Sequence, residues 1–160
     1  LSEARMTPAP PTCRRASIDE IYELRFNVLR PKQNPVKLHF PGDGAEPPQT
    51  WHFGAFTSDG RTVACLTLFA SEWEGQPAMQ LRGMAVAEEV RGTGLGRQLL
   101  LTARTAVAHD PVAKDWRWWC NARTTAIGFY EKLGWEVASG EFMIEGVGPH
   151  KKMVRIRGGE

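Results

Sequence analysis

The stretch that decides the fold runs from Met84-Ala85-Val86 through Ala-Glu-Glu-Val to Arg91-Gly92-Thr93-Gly94-Leu95-Gly96. Its apolar start is typical of a strand, and the glycine-rich turn leads into a helical pattern of leucines. A helix N-terminus leaves backbone N–H groups without partners and carries partial positive charge. Glycines remove side chains there, so a phosphate can approach those groups closely. The stretch therefore predicts an anion site, with Arg91 and Arg97 adding positive charge at its edges.

The spacing of the glycines argues against two common phosphate-binding loops. A Walker loop ends in Gly-Lys-Ser/Thr, whereas Gly96 is followed by Arg97-Gln98. In a dinucleotide-binding fingerprint the third glycine comes one residue later and the turn opens a parallel βαβ unit. Here the turn follows three runs that indicate an antiparallel meander. From the turn alone, a glycine-rich loop without a ligand and a nucleotide-binding oxidoreductase both stay open as alternatives.

Working outward, the sequence predicts the order strand, helix, three strands, helix, strand, helix, two strands. Apolar residues at helical spacing predict helices at 18–29, from Leu95 to Val107, and at 124–133. The strands are predicted at 12–16, 51–57, 62–69, 79–86, 116–121, 135–138 and 152–156. Ser58-Asp59-Gly60-Arg61 predicts a hairpin between the second and third strands. Residues 31–49, rich in proline and glycine, predict a long loop that is either functional or mobile.

Composition narrows the class of protein. A length of 160 residues with 42% hydrophobic residues fits one domain, which we expect to cover residues 1–160. A net charge of +2 argues against a nucleic-acid partner, and the apolar runs are too short to span a membrane. Cys13, Cys65 and Cys120 are widely spaced without a Cys-x-x-Cys pair, so we expect no metal site and a cytoplasmic location. A monomer and a homodimer are both compatible with the sequence.

Two segments resemble the GNAT superfamily of N-acetyltransferases. Arg91-x-x-Gly94-x-Gly96, preceded by Met84-Ala85-Val86, resembles its acyl-CoA motif. The segment 126–135, Ala-Ile-Gly-Phe-Tyr-Glu-Lys-Leu-Gly-Trp, resembles its second motif, Ala-x-x-Phe-Tyr-x-Lys-x-Gly-Phe. Two motifs in the right order are more specific than either alone, and the resemblance covers roughly residues 51–157. The segment 141–153, with Gly148-Pro149-His150, further resembles the ElaA-like acetyltransferases.

The resemblance implies an α+β (α/β three-layer) fold with a mixed, mostly antiparallel central sheet flanked by helices. It also implies acetyl-CoA as cofactor and a small-molecule or peptide amine as acceptor. The cofactor-binding residues that it implies are Met84, Ala85, Val86, Arg91, Gly92, Thr93, Gly94, Leu95, Gly96, Arg97, Arg123, Ala126, Phe129, Tyr130 and Lys132. Arg123 stands where many family members have Asn, so we expect it to meet a cofactor phosphate or to begin the helix. A module that binds acyl-CoA without turnover is the alternative.

The reaction implied by the resemblance sets three chemical tasks: deprotonating the amine, stabilising the oxyanion and protonating the thiolate. The Val86 N–H is the implied oxyanion donor, and Tyr130 is the implied general acid; without the resemblance it would be an ordinary buried tyrosine. His150, Glu141 and His52 are candidates for the base, because imidazole and carboxylate groups accept protons. A structural or solvated role is the simpler interpretation of each, and a chain of water molecules is the alternative base. Arg25 and Arg30 lie where family members bind substrate and could recognise a carboxylate. A solvated helix face is the simpler interpretation of the two arginines.

Overall fold

A computed structural model describes residues 9–29 and 39–156 of the chain. The described residues form three α-helices, namely α1 (Ile18–Leu29), α2 (Leu95–Ala108) and α3 (Ile127–Glu131). They also form eight strands: β1 (Thr12–Arg15), β2 (Thr50–Phe56), β3 (Thr62–Trp73), β4 (Gln76–Val86), β5 (Arg117–Arg123), β6 (Trp135–Val137), β7 (Phe142–Ile144) and β8 (Gly148–Arg155). All eight belong to one sheet in the order β1-β2-β3-β4-β5-β8-β6, with β7 also paired to β8.

The predicted fold class is confirmed. Neighbouring strands are antiparallel except for β4 and β5, which form the one parallel pair among the described strands. Helices cover both faces of the sheet, so the three layers are helix, sheet and helix. No helix within the described ranges is long and apolar enough to cross a membrane.

Alternation along β3 assigns the helices to opposite faces, because successive strand residues point to opposite sides of a sheet. Cys65 packs in a cluster with Ile21 of α1, whereas Leu66 packs in the cluster that contains Leu99 of α2. We call these two sides the α1 face and the α2 face. Gly54 of β2 lets α1 approach closely, because a Cβ there would lie 3.2 Å from Ile21 Cγ2.

The sheet opens between β4 and β5. The two strands pair from Ala78–Arg117 to Leu81–Cys120 and make no further ladder contacts, although β5 continues along β8 as far as the pair Arg123–His150. A bulge bends β4 at this point. Cys65 pairs with Ala85 and Thr67 pairs with Arg82, so an advance of two residues along β3 corresponds to three residues along β4. Gly83 lies within the bulge at φ 64°, a conformation that glycine adopts without strain.

Several predicted boundaries were wrong. The β3–β4 hairpin turns at Glu74-Gly75, both at positive φ, so both strands extend beyond the predicted ends and Gln76 and Pro77 belong to β4. The predicted helix at 124–133 is a 3₁₀ turn at Thr124–Ala126 followed by the five-residue α3. Strand β7 was not predicted, and β8 begins at Gly148 instead of residue 152. Of the predicted loop, residues 31–38 lie outside the described residues.

Candidate active site

A cavity of about 250 Å³ occupies the opening between β4 and β5. It brings together residues that the sequence placed in three separate segments. The residues predicted for the site that line it are Met84, Val86, Arg123, Ala126, Phe129, Tyr130 and His150. The splayed strands therefore create the space in which the predicted groups converge, and the short parallel ladder is the structural reason for that space.

The cavity reaches both faces of the sheet. On the α2 face, Met84 and Val86 lie next to Gly96 at the start of α2, where a glycine Cβ would be 3.4 Å from Val86 Cγ2. On the α1 face, Arg82 pairs in register with Thr67, whose hydroxyl contacts Arg25 of α1. Arg123 belongs to the same face, because it donates to the carbonyl oxygen of Leu29 in α1. A ligand entering from one face can therefore meet a ligand entering from the other.

The glycine turn is shaped for an anion at the N-terminus of α2. Gly92 and Gly94 adopt φ 80° and 85°. Apart from the adjacent residues, no atom of the described chain lies within 4 Å of a Cβ built at either position, so backbone conformation is what requires glycine. Gly94 is the N-cap of α2, and its carbonyl accepts the N–H of Gln98 at 3.0 Å. The first backbone N–H groups of α2, from Gly94 onward, have no acceptor within the helix and lie at its positive end.

The remaining residues of the turn hold it in shape. Arg91 Nε donates to the Val86 carbonyl at 3.1 Å, and Thr93 Oγ1 donates to the Val90 carbonyl at 2.6 Å. Leu95 is buried in the core beneath α2, and Ala85 packs on the α1 face with Ile21 and Cys65. The side chains of Leu95 and Ala85 therefore support the turn and the strand, and only their backbone groups are available to a ligand.

Tyr130 projects into the cavity from α3 and is held by aromatic neighbours. Its ring lies 5.1 Å from the Phe129 ring in an edge-on arrangement and 5.1 Å from the Trp135 ring. Burial raises the pKa of the Tyr130 phenol well above its ordinary value, with a further contribution from nearby Cys120. The side chain is therefore a protonated phenol at neutral pH and can act as a hydrogen-bond or proton donor.

His150 faces the cavity from β8 in a fixed tautomer. Its Nδ1 lies 2.8 Å from the Gly148 carbonyl oxygen, and because a carbonyl only accepts, Nδ1 carries the proton. The lone pair of the neutral ring is consequently on Nε2. The ring stacks on Phe142 of β7 at 6.0 Å, and the residue is 4% exposed. The geometry gives His150 the arrangement of an oriented base.

A family model described as "Acetyltransferase (GNAT) domain" matches residues 49–137, which include the split strand, the glycine turn and α3. The chain belongs to the GNAT acetyltransferase family. It is 34% identical over 145 residues to the uncharacterised N-acetyltransferase YitI of Bacillus subtilis, covering 87% of this chain and 91% of that protein. The resemblance between the two sequence motifs and the family is thereby confirmed.

Solved structures agree on the GNAT fold. The crystal structure of Escherichia coli ElaA matches with a TM-score of 0.73 at 20% identity, covering 91% of this chain and 99% of that one. An acyl-CoA N-acyltransferase from Pseudomonas aeruginosa matches with a TM-score of 0.70 at 22% identity, covering 91% and 98%. At these identities the likeness shows the fold.

Arg97 and Lys132 of the GNAT chain lie outside the main cavity. With Arg104 and Arg155 they line a second, smaller cavity of about 50 Å³ between α2 and the end of α3. Among the described residues, its lining combines these four basic residues with apolar residues and contains no acidic one. Burial, together with the charge of Arg104, lowers the pKa of Arg155 to about 10. This cavity therefore brings together Arg97 and Lys132, two of the predicted cofactor-binding residues.

Two of the three candidate bases do not reach the cavity. Glu141 is exposed and precedes β7, whose inward residues are Phe142 and Ile144. His52 is buried on the α1 face: its Nε2 contacts the Asp43 carbonyl and its Nδ1 contacts Thr67 Oγ1, both at 2.8 Å. Burial lowers the pKa of His52, so it is a neutral structural histidine. His150 is the one candidate base that lines the site.

Arg25 is not on a solvated helix face, and that expectation was wrong. Its side chain is fully buried, with Nη1 at 2.8 Å and Nη2 at 3.2 Å from the Asp43 carboxylate. Nη2 also donates to Thr67 Oγ1 at 2.7 Å. This ion pair fastens α1 to the segment at 39–50 and to β3, which is a structural task. Arg30, the other predicted substrate residue, lies outside the described residues.

Arg123 lines the cavity and also contacts α1. It is the N-cap residue of the 3₁₀ turn before α3, which agrees with the expectation that it begins the helix. Its Nη2 lies 2.9 Å from the Leu29 carbonyl oxygen. The sequence did not single out Phe40 and Arg82, which also line the cavity. Phe40 lies in the predicted loop and Arg82 in a predicted strand, so their meeting depends on tertiary structure.

Proposed function

We propose that this GNAT enzyme transfers an acetyl group from acetyl-CoA to a primary amine by direct attack of the amine on the thioester. The observation that carries the proposal is the cavity between β4 and β5, which brings Tyr130 and His150 together with Val86, and Val86 lies next to Gly96 of the glycine turn. Free cysteines at positions 13, 65 and 120 fit a reducing compartment, which supports a cytoplasmic location.

The residues fit the proposed cofactor. The N–H groups at the start of α2 would hold its pyrophosphate, because Gly92 and Gly94 leave them uncovered. Arg97 and Lys132, beside the second cavity, would meet its remaining phosphate. The opening beyond Leu81 would take the extended arm of the cofactor, since no described strand pairs with β4 on that side. When bound, the cofactor supplies an activated acyl group whose leaving group is a thiolate.

The backbone N–H of Val86 is directed into the opening. The next residue, Ala87, donates its N–H to Val63 of β3 at 2.8 Å. Backbone groups of successive strand residues point to opposite edges, so the N–H of Val86 points away from β3. Its carbonyl follows the same direction, since it accepts from Arg91 Nε instead of from β3. This N–H would stabilise the negative charge that develops on the thioester oxygen.

His150 and Tyr130 would carry the two proton transfers. An alkyl amine is mostly protonated at neutral pH, since its pKa is about 10.4, and it must lose a proton before it attacks. His150 Nε2 would accept that proton while the Gly148 carbonyl holds the ring through Nδ1. Tyr130, protonated and buried, would donate to the departing sulfur.

Two measurements test the proposal. A ligand that binds only the folded state adds about 2.7 kcal/mol of stability at a hundredfold excess over Kd. For a chain of this size this corresponds to a rise in Tm of roughly 5–11 °C. Acetyl-CoA and CoA should raise the Tm, whereas NADH and ATP should not. A rise with NADH and none with CoA would overturn the proposal in favour of a nucleotide-binding oxidoreductase.

The second measurement separates an enzyme from a module that only binds acyl-CoA. Steady release of free thiol from acetyl-CoA should depend on an added amine and on protein concentration. Mass spectrometry should find the acetylated amine as the product. Binding of acetyl-CoA with no thiol release across a broad panel of small amines, amino acids, peptides and aminoglycosides would instead favour the non-catalytic module.

A further inference from the structure

We propose that the acceptor is an amine that also carries a carboxylate, as an amino acid does, and that Arg82 and Arg123 bind that carboxylate on the α1 face of the cavity. The inference rests on the proposed acyl transfer and specifies its substrate class. The two arginines lie on the strands that flank the opening, β4 and β5, so a carboxylate between them would be reached from both sides.

The hydrogen-bonding groups of the cavity favour such a molecule over a simple amine. Among the described residues that line the cavity, Arg82 and Arg123 are basic and none is acidic. A guanidinium group presents N–H donors in a geometry that matches a carboxylate. A simple amine and a polyamine contain no acceptor for these donors, so the cavity favours an acceptor that also carries a carboxylate.

Arg82 is positioned by a stack of side chains. Its Cζ lies over the Phe40 ring at 4.1 Å, and Arg25 Cζ lies over the same ring at 4.2 Å. Phe40 is fixed in turn, because its N–H donates to the Asp43 carboxylate at 2.8 Å and that carboxylate pairs with Arg25. A guanidinium held in this way is suited to recognising a carboxylate through two N–H groups.

The amine end of the same molecule would lie near His150. His150 is the cross-strand partner of Arg123, so a carboxylate bound at Arg123 places a nearby amine beside the proposed base. Asn121, two residues earlier on the same face of β5, also lines the cavity. Its Oδ1 is buried and has no hydrogen-bond partner within the described part of the chain. This oxygen can accept an N–H from the incoming amine.

The rest of the acceptor side is apolar. Leu29, Phe40, Ile144 and Val147 line the cavity there. A substituent of the acceptor would therefore be apolar, because burying such a group against these side chains is favourable and burying a charge is not. The inferred substrate class is an amino acid, or a compound of similar charge pattern, with a hydrophobic side chain.

Matched acceptors test this inference. L-phenylalanine, L-phenylalaninamide and phenethylamine share the ring and differ in the carboxylate, and spermidine represents polyamines. We expect kcat/KM for phenylalanine to exceed that for each of the other three by about tenfold or more, the effect typical of a charge-assisted hydrogen-bond pair. Calorimetric binding of phenylalanine to the protein saturated with CoA provides a readout that does not require turnover.

Two variants locate the effect. Arg82→Gln should lower the ratio of kcat/KM for phenylalanine to that for phenethylamine toward one, and Arg82→Lys should recover part of it. Arg117→Gln is the matched control, because it removes an exposed arginine from β5 outside the cavity and should leave the ratio unchanged. The Tm of each variant and its response to CoA report whether the variant folds. If Arg82→Gln does not fold, the comparison of acceptors on the unmodified chain still tests the substrate class.

The outcomes separate the two proposals. Preferred turnover of phenethylamine, the amide or spermidine would overturn the substrate class and leave the acyl transfer intact. A ratio that Arg82→Gln does not change would overturn the role of Arg82. No thiol release with any acceptor, together with no response of the Tm to acetyl-CoA, would overturn the proposed function and this inference with it.

Discussion

At the scale of single residues, two histidines show how the same side chain takes different tasks. His52 closes a ring of contacts with Thr67, Arg25 and Asp43, and both of its nitrogens have partners. Within the described residues His150 forms a hydrogen bond through Nδ1 alone, to the Gly148 carbonyl, and it lines the cavity. The sequence offered both as bases because residue type does not reveal which nitrogen is engaged. Hydrogen bonding separates a structural imidazole from one able to transfer a proton.

Replacing His150 should lower turnover far more than the affinity for cofactor. The His150 imidazole is the proposed acceptor of the amine proton, and the amide of glutamine cannot take that proton. His150→Gln should therefore lower kcat/KM by about 10²-fold to 10⁴-fold while the Kd for CoA, measured by calorimetry, changes little. The exposed His109 at the end of α2 gives the control His109→Gln. An unchanged kcat/KM in His150→Gln would assign the proton transfer to another group.

Replacing Tyr130 should separate chemistry from binding. Tyr130→Phe keeps the ring contacts with Phe129 and Trp135 and removes only the hydroxyl. We expect kcat to fall by about 10²-fold or more, with little change in the Kd for acetyl-CoA measured by calorimetry. Tyr22, the second of the two tyrosines in the chain, gives the control Tyr22→Phe. Full activity of Tyr130→Phe would leave the phenol a packing role alone.

At the scale of elements, the glycine turn and the helices α1 and α2 were predicted closely, because capping residues and apolar spacing act locally. Strand β7 was not predicted, since three residues between turns are too few to show the alternation of apolar and polar residues that indicates a strand. The burial of Arg25 depends on Asp43, which is 18 residues away in a loop whose conformation no periodicity describes. Arg82 was missed for the same reason, since its partner Phe40 lies in that loop. Local features were thus predictable, and the acceptor side, assembled from distant segments, was not.

The glycine turn makes a prediction about cofactor binding. Gly94→Val places a β-branched residue at φ 85° in the N-cap of α2, where it is strained and covers the amides. The Tm increase with CoA should disappear, and the Tm of the free protein should fall. Gly140→Ala is the control, because Gly140 has open space and no positive φ. A normal response to CoA in Gly94→Val would move the phosphate site away from this turn.

Helix α1 has a capping box whose stabilisation should depend on pH. Glu20 pairs with Arg14 and accepts the Ser17 N–H, and these contacts lower the pKa of Glu20 to about 2. A carboxyl with a depressed folded-state pKa stabilises above its unfolded pKa and loses that effect as pH falls through the folded value.

Glu20→Gln should therefore lower the Tm at pH 7 by an amount that shrinks between pH about 4.5 and pH about 2. Because the pair is exposed, we expect less than about 1 kcal/mol. Thermal melts of both proteins across this range, with Glu23→Gln as the control on an exposed face of α1, measure the difference. A difference independent of pH would show that the charge of Glu20 is not its source.

At the scale of the whole molecule, the split sheet provides two sides from which ligands can reach one cavity. The glycine turn and Tyr130 lie on the α2 face, and Arg82, Arg123 and His150 lie on the α1 face. The cavity joins the two faces through the opening between β4 and β5, so the proposed acyl donor and amine would be bound at the same time. Cys120 also lines this cavity and raises the question of a covalent acyl-enzyme. Burial raises the pKa of its thiol far above neutral, so little thiolate is present to attack a thioester.

The kinetics should therefore be sequential. When acetyl-CoA and the amine are both varied, double-reciprocal plots of initial rates should intersect, because no acyl group is transferred to the protein before the amine binds. Cys120→Ala should keep kcat within a few-fold, since it removes a small buried group and no nucleophile. The matched variant Cys65→Ala removes a buried thiol outside the cavity and controls for lost packing. Parallel plots, together with loss of turnover in Cys120→Ala and not in Cys65→Ala, would instead establish a cysteine-bound intermediate.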